Sequence, residues 1–152
     1  MRNLTLLLIV SFLALYFGYP KYQDYRFTEQ VRENMRTETV DIKALEGLPI
    51  KAEVNNNYPQ IEMRFKFKDV AYDDLTAALK KTMRQEVKSL ACRNLKNIEG
   101  QNLQLIKAKT KILEEDKVSI RIIVRGQAGK HITEHTQVLS KCANFAALKQ
   151  LV

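Results

Sequence analysis

The sequence predicts an α+β domain behind an apolar amino-terminal helix, and three features of its patterning indicate this. Residues 4–17 form an uncharged, almost wholly apolar run. Further along, several short segments alternate apolar and polar residues with the period of a strand, whereas residues 73–95 repeat with the period of a helix. The order of these segments predicts an antiparallel sheet of about five strands with one long helix packed on one face, preceded by a membrane helix and a stalk helix.

The amino-terminal run has the layout of a bacterial export signal. A free amine and Arg2 precede the apolar core, a pattern that keeps the amino end in the cytoplasm and sends the rest of the chain across the inner membrane. The uncharged stretch 3–20 spans roughly 27 Å as a helix, slightly less than the hydrocarbon core of a bilayer. The pairs of small residues that a cleavage site requires are missing, so we expect residues 1–20 to be a retained anchor, with residues 4–19 in the membrane. The alternative is cleavage, which would leave a soluble periplasmic protein.

The next segment, residues 21–47, predicts an amphipathic stalk helix. Phe27, Val31 and Met35 recur at intervals of four among charged and polar residues, which places them on one face of a helix. This stripe packs either on the domain or on a partner protein. The domain itself is then expected to comprise residues 48–152.

The first part of the domain predicts a hairpin followed by the main helix. Residues 50–54 and 61–67 both alternate apolar with charged side chains, and an asparagine-rich turn at 55–59 joins them. Residues 73–95 carry apolar side chains at intervals of three and four, with acidic residues at the start and basic residues at the end, as a helix favours.

Alternation in the second part of the domain predicts three further strands, over residues 106–112, 118–124 and 131–139. The first two are separated by an acidic turn, and the last two by a turn that contains two glycines. Residues 144–151 predict a short terminal helix.

The two cysteines, Cys92 and Cys142, predict a disulfide, because an even number of cysteines in an exported protein favours pairing. Closing a loop of about 50 residues would stabilise the fold by about 4 kcal/mol on the chain-entropy model. On an ideal helix Cys92 points about 140° away from Val87 and so lies off the apolar face. Helix ends fray, so the disulfide is feasible if the helix ends near Ala91.

The alternation of three strands also predicts a basic surface on the sheet face that points away from the helix. The net charge is +8, and an exported protein meets acidic protein surfaces or anionic lipids rather than nucleic acid. A solvated, charged sheet face is the alternative to a binding surface. The predicted partner-binding set is Arg64, Lys66, Lys68, Lys107, Lys109, Lys111, Arg121 and Arg125.

One short motif resembles a metal site. Residues 131–135 match H-x-x-E-H and so resemble the zinc motif of the inverzincin metalloproteases, which implies His131 and His135 as ligands and Glu134 as base. The motif requires a helix, whereas this segment follows a glycine turn and is rich in β-branched residues. As a strand it would hold the two histidines roughly 13 Å apart, so we expect no metal, no other cofactor and no catalytic site.

These features together predict a non-enzymatic protein anchored in the bacterial inner membrane, with its domain in the periplasm. We expect the domain to bind an acidic protein surface in the cell envelope, as an accessory factor of a secretion or envelope machine or as an immunity-type inhibitor. The alternative is a periplasmic carrier of a lipid or small ligand, with a pocket between helix and sheet.

Overall fold

A computed structural model shows an α+β fold, with helices packed against a four-stranded sheet. It describes residues 2–38, 50–71, 75–93, 95, 98 and 100–152, and for residues 2–17 the backbone only. The helices are α1 (Arg2–Thr37), α2 (Ala77–Arg93), α3 (Leu103–Glu115) and α4 (Ala143–Gln150). The strands are β1 (Ile50–Asn57), β2 (Gln60–Phe67), β3 (Ser119–Arg125) and β4 (His131–Val138).

The sheet is mixed, with the strand order β1-β2-β3-β4. The predicted hairpin of β1 and β2 is confirmed, and β3 pairs antiparallel with β4. The two central strands, however, run parallel, from the pair Gln60 and Ser119 to the pair Lys66 and Arg125. The prediction of about five antiparallel strands is therefore wrong. Helices α2 and α3 lie between β2 and β3, and such a crossover returns the chain to the end of the sheet at which β2 begins.

The segment predicted as the third strand, within residues 106–112, belongs to helix α3. The alternation there overlaps a helical pattern, in which Leu105 and Leu113 extend the apolar surface at helical spacing. Asn102 caps this helix, because its side chain accepts a hydrogen bond of 2.8 Å from the backbone N–H of Gln104. The helix is therefore specified at its start as well as along its length.

The misleading alternation in α3 arises because the helix is buried on two sides. Ile106, Ala108 and Leu113 all belong to the domain core, and Ala108 also lies beside Thr28 where α1 packs on α3. At 100° per residue, Ile106 and Ala108 point in nearly opposite directions. Burial on both sides thus produces apolar positions two residues apart, as a half-buried strand does.

The core lies between the helices and one face of the sheet. Ile122 of β3, Leu113 of α3 and Leu148 of α4 are almost completely buried, and all three belong to one hydrophobic cluster. Helix α2 contributes Val87 and Ala91 to the same cluster. This arrangement places the helical layer on the face of the sheet that carries the apolar positions.

Helix α1 joins the amino-terminal run to the domain without a break. The predicted stripe packs on the domain, because Val31 is buried in the core and Phe27 and Met35 pack against it. This part of the predicted stalk therefore belongs to the folded domain, while residues 39–47 lie outside the described residues. The side chains of residues 1–17 also lie outside them. In the part of the chain that is described, no helix combines the length and apolarity needed to cross a membrane.

The predicted disulfide between Cys92 and Cys142 is present, with the two Cα atoms 5.7 Å apart. Cys92 lies in the last turn of α2, which continues to Arg93 instead of ending near Ala91. Asn144 strengthens this junction, since its side-chain amide donates a hydrogen bond of 2.9 Å to the carbonyl of Cys92. The disulfide joins the end of α2 to the start of α4, and it forms although α2 continues past Ala91.

Candidate functional site

The candidate site is the sheet face that points away from the helical core, which we call the far face. Directly opposed residues of paired strands lie on the same face, so the register identifies its members. They are Lys51, Glu53 and Asn55 of β1, Glu62, Arg64 and Lys66 of β2, Arg121, Ile123 and Arg125 of β3, and His131, Glu134, Thr136 and Val138 of β4.

The middle of the far face holds a network of compensated charges. Arg121 donates from Nε to Oε1 of Glu134 at 2.8 Å, and its Nη1 lies 3.3 Å from Oε2 of Glu62. Arg64 approaches the same Glu62 with Nη2 at 2.5 Å from Oε1, and the Glu62 side chain is only 8% exposed. The arginines of this network therefore already have carboxylate partners within the protein.

Electrostatics agree with this description of the network. The hydrogen bond from Arg121 holds the pKa of Glu134 below its ordinary value against the opposing effect of burial, and the positive charges of Arg121 and Arg125 lower it further. The hydrogen bond to Glu134 and its negative charge in turn raise the pKa of Arg121. Glu134 is therefore an ionised partner of Arg121 at neutral pH.

One end of the far face has a different character. Lys51, Lys66 and Arg125 lie directly opposite one another on three adjacent strands, and we call these three residues the basic row. Neighbouring strands are about 4.8 Å apart, and like charges opposite each other destabilise a sheet. Lys51 approaches Glu53 at 3.3 Å. Lys66 and Arg125 have no ion pair with any other described residue.

Two further residues border the basic row. Lys68 is exposed just beyond the end of β2. His131 lies opposite Arg125 on β4 and also lines a surface groove of about 540 Å³ beside α2, together with Arg84 and Lys88. The groove was not predicted from the sequence, although the interval of four residues between Arg84 and Lys88 places both on one face of α2.

Three members of the predicted basic set lie elsewhere. Lys107, Lys109 and Lys111 are on α3, in the helical layer, so the prediction that they share a sheet face with the arginines is wrong. Lys107 Nζ is 3.8 Å from Oδ2 of Asp24, and Lys111 Nζ is 3.8 Å from Oε1 of Glu115. Arg64, Lys66, Arg121 and Arg125 do lie together on the far face, as the alternation of β2 and β3 predicts.

The histidine motif lies on β4, as expected. His131 is opposite Arg125 on the far face, whereas His135 is opposite Ile122 on the core side, so the two rings project to opposite faces. Among the described residues there is no group of three or more His, Cys, Asp or Glu side chains arranged to hold a metal ion. The motif therefore lacks the geometry of a zinc site.

Fold and site together define a small α+β domain with a mixed sheet and a charged face opposite its helices. No protein-family model, curated protein or solved structure matches this chain. Its function must therefore be argued from the chemistry of the residues themselves.

Proposed function

We propose that this protein is anchored in the bacterial inner membrane and binds an acidic surface of another envelope protein through the basic row. The observation that carries the proposal is that Lys66 and Arg125 lie directly opposite each other and that neither forms an ion pair within the described part of the chain. The proposed role is that of a binding protein, as an accessory factor of a secretion or envelope machine or as an immunity-type inhibitor, and not that of an enzyme.

The contrast within one sheet face supports this proposal. In the middle of the far face, Glu62 and Glu134 neutralise the two arginines beside them. At the basic row, like charges lie side by side, an arrangement that costs stability unless a counter-charge is supplied. A partner carboxylate placed over Lys66 and Arg125 would supply that counter-charge, as charge-complementary interfaces do.

A photo-crosslinking experiment tests the proposal in cells. A photo-reactive amino acid replaces Lys66, and in a control strain it replaces Lys81, an exposed residue of α2. We expect a discrete crosslinked envelope protein from position 66 and none from position 81. The crosslink should weaken when Arg125 is changed to Glu.

A binding measurement with the identified partner then tests the chemistry. The variant Lys66→Glu/Arg125→Glu should bind at least tenfold more weakly, and wild-type association should slow as salt rises, since exposed charges are screened beyond about 8 Å at physiological ionic strength. The control Lys81→Glu/Lys141→Glu makes the same change in net charge at exposed positions away from the basic row. If both variants bind the partner with equal affinity, or if the association rate does not change with salt, the basic row is not the binding surface.

A further inference from the structure

The proximal part of α1, just before it meets the domain, exposes three tyrosines. Tyr19, Tyr22 and Tyr25 are 60%, 55% and 57% exposed, which is unusual for large side chains. At 100° per residue they cover an arc of about 120° on the side of α1 opposite Val31. Tyr22 lies directly opposite Val31, whereas Tyr25 also lines the groove between α1 and α3.

The positions of Tyr19 and Tyr22 along α1 match the depth of a lipid headgroup layer, and Tyr25 lies just beyond it. The apolar run ends at residue 17, so a rise of 1.5 Å per residue places Tyr19 about 3 Å and Tyr25 about 12 Å beyond it. The headgroup layer on each side of a bilayer is roughly 5–8 Å thick. Tyrosine is enriched at this level because its ring is apolar and its hydroxyl group is polar.

Contacts between α1 and the domain begin at the same level. Lys107 Nζ lies 3.8 Å from Oδ2 of Asp24, which is about 10 Å beyond the apolar run. Further along, Arg32 Nη2 lies 2.8 Å from Oε2 of Glu115, so α1 and α3 run parallel. The amino-terminal end of α3, with Leu103 60% exposed, therefore points in the same direction as the apolar run.

We propose that the domain rests directly on an anionic bilayer, with Tyr19 and Tyr22 of α1 and the amino-terminal end of α3 in the headgroup layer. This inference rests on the proposed membrane anchoring but not on the protein partner. Lys21 and Arg26 flank the tyrosines and supply charges that anionic headgroups attract. The predicted stalk does not separate the domain from the apolar run, because Val31 of that segment already belongs to the domain core.

The chain contains no tryptophan, so single tryptophans report the depth of chosen positions. The test uses the full chain in vesicles of phosphatidylcholine and phosphatidylglycerol that carry brominated acyl chains, with bromine near the headgroups or near the bilayer centre. Tyr22→Trp and Leu103→Trp are the two probes. Glu33→Trp is the control, since it lies on the tyrosine side of α1 but about 17 Å farther along the helix.

We expect headgroup-level bromine to reduce the fluorescence of Tyr22→Trp and Leu103→Trp about twofold, and deep bromine to reduce it less, because ring side chains at the interface stay near the headgroups. The fluorescence of Glu33→Trp should be almost unchanged by bromine at either depth. Far-ultraviolet circular dichroism and the intact disulfide confirm that each variant is folded.

Vesicle flotation separates the possible failures. A chain that does not float with vesicles overturns both the membrane anchoring and this inference. A chain that floats, yet shows as little quenching at positions 22 and 103 as at position 33, overturns the inference and leaves the anchoring intact. Equal strong quenching at all three positions also overturns it, since α1 would then lie along the surface.

Discussion

The contact between α1 and the domain depends on Arg32, and its energetics give a sharp prediction. Arg32 donates from Nε to Oδ2 of Asp116 at 2.8 Å and from Nη2 to Oε2 of Glu115 at 2.8 Å. It also bonds Glu29, and Tyr58 donates its hydroxyl hydrogen to Asp116. The two acidic neighbours at the end of α3 thus bind one arginine at the same distance.

Burial distinguishes these two carboxylates. The side chain of Asp116 is 21% exposed and that of Glu115 is 48% exposed, while that of Arg32 is only 13% exposed. Burial, followed by the hydrogen bond to Asp116, raises the pKa of Tyr58 to about 12, which shows that its hydroxyl is held in a partly desolvated site. The Asp116 interaction is accordingly less screened by water than the Glu115 interaction.

We expect Asp116→Asn to cost about 2 kcal/mol of unfolding free energy, because hydrogen bonds to charged groups contribute roughly 1.5–3 kcal/mol and Arg32 keeps its other two partners. Glu115→Gln should cost less than about 1 kcal/mol, as exposed ion pairs do. At roughly 3–5 °C per kcal/mol, the melting temperature should fall by about 6–10 °C for the first variant.

Thermal unfolding of the full chain in detergent, followed by circular dichroism, measures both variants. A double-mutant cycle with Arg32→Met isolates the pair: in that background Asp116→Asn should cost less than about 1 kcal/mol. If Glu115→Gln proves as damaging as Asp116→Asn, then burial does not govern these pairs, and the docking of α1 has been wrongly attributed to this cluster.

Three further outcomes are expected. Cys92→Ser should cost about 4 kcal/mol of stability, and thiol labelling of denatured, unreduced protein should modify neither Cys92 nor Cys142; labelling of both would contradict the disulfide. Because the pKa of Glu134 is lowered in the folded state, its ionised form stabilises the fold above the unfolded pKa of about 4.3, and this stability is lost as pH falls through the folded pKa. The melting temperature of Glu134→Gln should therefore depend less steeply on pH in this acid range. A pH dependence equal to that of the wild type would count against the Arg121 pair. Intact mass of membrane-derived protein should show residues 1–20 retained, whereas a chain that begins near Tyr19 would show cleavage.

Most strands and the main helix were predictable because each has one buried face. Strand β2 alternates strictly between core and far face, and α2 repeats its apolar residues every three or four positions. Helix α3 was not predictable from alternation, since its burial on two sides imitates a strand. The parallel pairing of β2 with β3 was not predicted for the same reason, because a parallel pair requires a crossover connection such as a helix.

The far face was predictable in part for a related reason. Alternation correctly grouped the basic residues of β2 and β3, but charge compensation depends on which acidic residues share their face. Glu62 has the same alternation as Arg64, so this partner was visible in the sequence. Glu134 becomes a partner of Arg121 only through the register of β3 with β4, which no local pattern specifies.

The direction of the chain relates the basic row to the membrane. With the proposed membrane anchoring, helix α3 begins at the end of the domain nearest the membrane, and its C-cap, Asp116, lies beside Tyr58. Strand β3 starts there, with the N–H of Ser119 bonded to the carbonyl of Pro59 at 2.9 Å, and a connection of so few residues turns the chain back. Arg125 therefore lies toward the membrane end, so the acidic surface that the row binds is expected close to the bilayer. A partner that engages the row must then present its carboxylates near the membrane, as a membrane protein does.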